Sequence, residues 1–92
     1  MKKRKAKELV YGEHAETKFE LLREHGFEVA RRQGNDAVRK PEKVEEGYKG
    51  RKVAQRGISD THVLRVVYEE DSQEIRIVTF YPGRKDRYAR NL

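Results

Sequence analysis

The reactive side chains of this chain gather towards its C-terminus. There Tyr81-Pro-Gly-Arg-Lys-Asp-Arg-Tyr88 follows an apolar run, and Arg65 stands as a single charge inside Val-Leu-Arg-Val-Val-Tyr. Guanidinium groups bind phosphate through paired hydrogen bonds, and a phenol stacks on a base or passes a proton. Arg65, Arg84, Arg87 and Tyr88 are therefore the candidate catalytic set, and the substrate they point to is anionic. Lys49, Arg51, Lys52 and Arg56 in the preceding hairpin, with Lys85 and Tyr81, are candidates for contacts to RNA. The competing reading is a solvated sheet face whose cations pair with Glu69, Glu70 and Glu74.

Other chemistry is excluded by what the chain lacks. It has no cysteine, so there is no thiolate nucleophile, disulfide framework or zinc–thiolate site. Glycine-rich phosphate loops, a Gly-x-Ser-x-Gly elbow and a His-x-x-x-His pair are all missing. Any catalysis is thus expected to proceed without metal or cofactor. Two histidines are candidate acid–base groups: His14, near a helix N-terminus whose dipole favours the neutral ring, and His62, at the start of a strand. The reading favoured for His14 is a cap or packing residue, and for His62 a solvent-facing one. His25, before Gly26, reads as a helix-end residue.

The net charge is +6, but Lys2, Lys3, Arg4, Lys5 and Lys7 supply most of it. The remainder is close to neutral, so the basicity is expected on a flexible arm, residues 1–8, ahead of a single domain over residues 9–92. No stretch of 18 apolar residues is present and no apolar run follows the basic N-terminus. The expected setting is the cytoplasm, away from membranes.

The elements that must position these side chains follow from periodicity. Ala15, Phe19 and Leu22 recur on one face of a helix over 13–25, which Gly26 stops. A second helix is expected over 28–40, with Val29, Ala30, Ala37 and Val38 facing inward and Pro41 ending it. Gly34-Asn35 leaves open a break in that helix, with Asp36 capping a new turn. Leu9-Val10-Tyr11 adds a brief strand or packs under the first helix. From Val44 the period becomes that of strands: Val44–Lys49, Arg51–Arg56, His62–Glu69 and Glu74–Tyr81, the last ended by Pro82-Gly83. The expected fold is α+β, with two N-terminal helices packed on one face of a four-stranded antiparallel meander.

The segment Leu64-Arg-Val-Val-Tyr-Glu, an acidic turn, Glu74-Ile-Arg-Ile-Val-Thr-Phe and then Gly83-Arg-Lys-Asp-Arg-Tyr resembles the C-terminal half of the RelE/ParE toxin superfamily. Tyr11-Gly-Glu-His-Ala is similar to a branch of small proteins that open a helix with His-Ala. The His25-Gly26 pair at the end of the first helix resembles the BrnT toxins. What the resemblance implies is a metal-independent endoribonuclease that cuts messenger RNA, often in the ribosome, and is paired with an antitoxin protein. Arg65 would take the place of the strand arginine at the scissile phosphate. Arg84 or Arg87 would take that of the arginine after the last strand, and Tyr88 that of the terminal tyrosine. Lys49 and Lys52 lie where the family often carries lysines. Tyr88 follows Arg87 directly, whereas the family usually places two or three residues between them. Two alternatives stay open on the same residues: a non-catalytic module that binds RNA or DNA, and a protein-interaction module.

Overall fold

The computed structural model describes residues 7–88. The chain forms β1 (Glu8–Tyr11), α1 (Glu13–Glu24), α2 (Arg31–Arg39), β2 (Lys43–Glu46), a 3-10 turn at Tyr48–Gly50, β3 (Lys52–Gly57), β4 (His62–Glu70), β5 (Glu74–Arg84) and α3 (Lys85–Tyr88). The strands make one sheet in the order β1-β5-β4-β3-β2, parallel between β1 and β5 and antiparallel elsewhere.

The architecture expected from the sequence is corrected on two counts. The sheet has five strands and is mixed, because Leu9-Val10-Tyr11 pairs with Ile75-Arg76-Ile77 along the outer side of β5. A turn does not join these strands, so nothing local dictated that they pair or in which direction. Among the described residues there are also three helices, since Lys85–Tyr88 winds into α3. Strand β5 runs on through Pro82-Gly83 rather than ending there. Pro82 lies beyond the reach of β1, where β5 is an edge strand, the setting that tolerates a residue without an N–H. Of the arm expected over residues 1–8, residues 1–6 lie outside the described residues. Lys7 is anchored by Nζ to Glu70 Oε2 (2.8 Å) and the Asp71 carbonyl (2.7 Å), and Glu8 already belongs to β1.

One sheet face and the helices enclose the core. Ala15 of α1, Ala37 and Val38 of α2, and Ala54, Leu64, Val66, Tyr68, Ile77 and Phe80 of the sheet are buried together. Removing the Leu64 side chain to Ala would cost about 2–5 kcal/mol at such a site. Helix α1 ends as expected: the Gly26 N–H reaches the Arg23 carbonyl and the Phe27 N–H the Leu22 carbonyl, while the His25 ring lies 2.9 Å from the Leu21 carbonyl. At the start of α2 the Ala30 N–H donates to Gln33 Oε1 (2.9 Å), half of a capping box, because alanine has no acceptor to return the bond.

Helix α2 is continuous across Gly34-Asn35, and the reason is tertiary. A Cβ on Gly34 would lie 2.5 Å from Tyr11 Oη. The missing side chain is a socket for the Tyr11 ring, and the Tyr11 hydroxyl donates to Asn35 Oδ1 (2.8 Å). Tyr11 in turn packs on Phe19 (centroids 5.5 Å apart) and Phe19 on Phe80 (4.7 Å), with the Arg31 guanidinium over Tyr11 and held by Glu16 (2.7 Å).

In β5 the register slips by one residue between Val67/Tyr68 of β4 and their partners. Val67 faces Thr79 and Tyr68 faces Ile77, leaving Val78 as a bulge. Ile75 and Ile77 point to the helices before the bulge; Phe80 does so after it. Without the extra residue Phe80 would turn outward and Tyr81 inward.

Two outcomes follow. Gly34→Ala is expected to lower stability by about 1–3 kcal/mol in urea denaturation, although alanine favours an isolated helix by about 1 kcal/mol over glycine. Burial pushes the Tyr11 hydroxyl up to about 12 from an ordinary 10. Its contribution to stability is therefore complete below pH 10 and is lost as pH rises towards 12. Burial also raises the Tyr68 hydroxyl, so a phenolate absorbance titration should show late-titrating tyrosines of which Tyr11→Phe removes one.

Candidate functional site

The sheet face away from α1 and α2 carries the odd-numbered residues of β2, β3 and β4. Cross-strand register places Tyr81, Arg65, Gln55 and Lys43 in one row over β5, β4, β3 and β2. The neighbouring row is Thr79, Val67, Val53 and Glu45. The bulge at Val78 is what brings Tyr81 into the first row.

Arg65 is the centre of this face and only 7% exposed. Its Nε donates to Tyr81 Oη (3.0 Å), its Nη1 to Gln55 Oε1, and its Nη2 reaches diagonally across β3 to Glu45 Oε1 (2.9 Å). The Tyr88 ring lies over the guanidinium, with Cζ 4.4 Å from its centroid. Lys43 stands behind Glu45, with Nζ 3.1 Å from Oε2. A charge at this depth must be paired and hydrogen-bonded, and among the described residues no buried side-chain polar atom lacks a partner. The bond from Arg65, then that from Lys43, holds the Glu45 carboxyl below its ordinary range. Burial opposes the Arg65 charge, but its bonds to Tyr81 and Glu45 outweigh that and move it upward. The pair is therefore ionised at neutral pH. Three of the five guanidinium N–H groups are engaged, and the phenol that accepts from Nε keeps its own O–H to donate.

The short α3 carries Tyr88 over this face. Its Lys85 N–H donates to the Thr61 carbonyl (2.8 Å), and Gln55 Nε2 donates to the Tyr88 carbonyl (3.1 Å). Gly83 lets the ring lie down: a Cβ there would meet Tyr88 Cδ2 and Cε2 at 2.5 Å.

Of the residues singled out from sequence, Arg65, Tyr81 and Tyr88 are brought into contact. Arg84 and Arg87 are exposed and, with Pro82, Gly83, Asp86 and Tyr88, line a cavity of about 480 Å³ beside this group. Arg84 Nε is 3.4 Å from Asp86 Oδ1, and the Lys85 side chain lies along Gly57. Arg51 pairs with Glu69 (2.8 Å). Lys52 is exposed at the start of β3, and Lys49 sits on the exposed hairpin turn with Nζ over Tyr48. Arg56 donates to the Lys40 carbonyl at the end of α2 (2.8 Å). His62 packs edge-on against Phe27 on the helix side of the sheet (5.2 Å), and His14 lies exposed in the first turn of α1. Neither histidine approaches Arg65. Gln55 and Glu45 complete the cluster and were not singled out. Their sequence signal is only the alternation that sets Gln55 beside Val53 and Glu45 opposite Val44, and it does not name Arg65 as their partner.

Among the described residues no group of three or more His, Cys, Asp or Glu side chains could hold a metal ion, and no helix is long and apolar enough to cross a membrane. Compared with known proteins, the chain matches no family model, no curated protein and no solved structure.

Glu45→Ala and Arg65→Ala should each destabilise the fold by about 1–3 kcal/mol. The first leaves the buried Arg65 without its anion, and the second strips Gln55, Tyr81 and Glu45 of a shared donor. The double variant should lose less than the two together, with a coupling of about 0.5–3 kcal/mol in urea denaturation. Strict additivity would show that the two side chains do not act as a pair.

Proposed function

We propose that the protein is a toxin-like, metal-independent endoribonuclease acting on messenger RNA in the cytoplasm, with an antitoxin protein as its partner. The observation that supports this reading is the grouping of Arg65, Tyr81 and Tyr88 on the face opposite α1 and α2, with Gln55 linking Arg65 to the Tyr88 carbonyl. In this reading the scissile phosphate takes the two N–H groups that Arg65 keeps and the place of Glu45 on Nη2. Preorganised cations of this kind stabilise the charge that builds up as the 2′-hydroxyl attacks phosphorus. The Tyr81 hydroxyl, its oxygen already accepting from Arg65, is placed to give its proton to a phosphate or leaving oxygen. Arg84, Lys85 and Arg87 hold neighbouring phosphates. The likeness of the C-terminal segment to RelE/ParE toxins adds to the same reading.

A second reading has its own observation. Arg65 already holds an anion, Glu45. On that account the protein is a non-catalytic module that grips nucleic acid or a protein partner through the cations around the Arg84–Tyr88 cavity, and Arg65 only holds the sheet together.

The deciding experiment incubates purified protein with messenger RNA in the presence of a metal chelator, with and without ribosomes. Cleavage leaving 2′,3′-cyclic phosphate ends is expected. Arg65→Ala should slow it about 10²–10³-fold, and Tyr81→Phe about 10²-fold, each in folded protein. Intact RNA with folded wild type, together with binding that weakens steeply with salt, would leave the non-catalytic reading in its place.

A further inference from the structure

The side chains over Arg65 reproduce the chemistry of a nucleotide. A carboxylate, Glu45 Oε1, sits 2.9 Å from Nη2, where a phosphate oxygen would bind. An aromatic ring, Tyr88, lies 4.4 Å from Cζ, where a base would stack on the guanidinium. The ring arrives there on α3, a helix of four residues with no buried member, joined to the sheet just after Arg84. Among the described residues it is held by one backbone bond to Thr61, one bond from Gln55, and the ring's contacts with Gly83 and the Arg65 guanidinium. Gln55 ties the two events together, since the same amide accepts from Arg65 and donates to the Tyr88 carbonyl. A change in what Arg65 binds therefore changes what holds α3.

We propose that α3 is an autoinhibitory strap: Tyr88 and Glu45 occupy the Arg65 site in place of a nucleotide, and single-stranded RNA binds by displacing them. This rests on the RNA reading of the site given above. In the closed form the guanidinium is covered. On opening, a phosphodiester replaces Glu45 on Nη2, and the released Tyr88 ring is available to stack on the neighbouring base. Apparent affinity is reduced by the fraction of molecules that are open, so anything that lifts the strap tightens RNA binding without adding a contact.

Gly83→Ala tests this without altering Arg65, Glu45 or Tyr88, because the added Cβ would occupy the place of the Tyr88 ring. Two readouts are taken on full-length protein. The first is the rate at which phenylglyoxal modifies Arg65, followed by peptide mass mapping. The second is the affinity for a labelled single-stranded RNA, followed by fluorescence anisotropy. The strap predicts that Arg65 is modified about tenfold faster in Gly83→Ala and that RNA binds about tenfold tighter, the gain expected where one molecule in ten is open. Folded Gly83→Ala whose Arg65 reacts no faster than wild type overturns the strap, whatever RNA does. Faster modification with unchanged RNA affinity overturns the strap as a gate for RNA, while the cleavage assay with Arg65→Ala separately judges the site itself. Should Gly83→Ala not fold, Tyr88→Ala replaces it in the modification experiment, and an unchanged rate there is equally fatal.

Discussion

A guanidinium taken out of water needs anions and acceptors around it, and the second face of this sheet is organised by that requirement. Arg65 lies on the central strand, flanked in the same cross-strand row by Tyr81 and Gln55 and reaching Glu45 on the edge strand. Each of these partners comes from a different strand. The pairing of β2 to β3, β3 to β4 and β4 to β5 must therefore all be in register before the charge is satisfied. A shift of one residue at any of these pairs would turn the partner to the opposite face. The buried charge thus specifies the register of four strands, a role that an apolar residue of the same size would not perform as strictly.

The opposite face achieves its own order through shape. Tyr11, Phe19 and Phe80 stack in sequence from β1 through α1 to β5, and Gly34 in α2 gives the Tyr11 ring its place. The bulge at Val78 links the two faces. By inserting one residue it turns Phe80 into the core and Tyr81 towards Arg65. One irregularity in β5 thereby serves hydrophobic packing on one side and polar chemistry on the other.

The distribution of cations bears on the proposed chemistry. Arg51 is paired with Glu69, Arg56 is tied to the Lys40 carbonyl and Arg65 holds Glu45, whereas Lys49 and Lys52 of the hairpin stay exposed. The exposed cations Arg84 and Arg87 border the Arg65 group on the side where α3 folds over. In the proposed ribonuclease the strand arginine and the tail cations are thus separate in kind: one is buried, oriented and held in place, and the others are solvated and adjustable.

The elements that rest on local chemistry were readable from sequence. The Ala15–Phe19–Leu22 stripe and Gly26 defined α1, Pro41 limited α2, and the β-branched run around Arg65 defined β4 and put Arg65 opposite Leu64 and Val66. Periodicity and capping act over a few residues, and those signals sit within the segments that obey them. Other features belong to the tertiary structure alone. The pairing of Leu9 with Ile75, the bulge at Val78, the socket at Gly34 and the contact of Glu45 with Arg65 each join residues between 20 and 66 positions apart or depend on such a joining. The sequence by itself determined that Arg65 would be a charge on the far side of an apolar strand. Only the folded sheet decided that it would be buried under Tyr88 and matched to Glu45, because burial and partnership depend on what other strands bring to the same place.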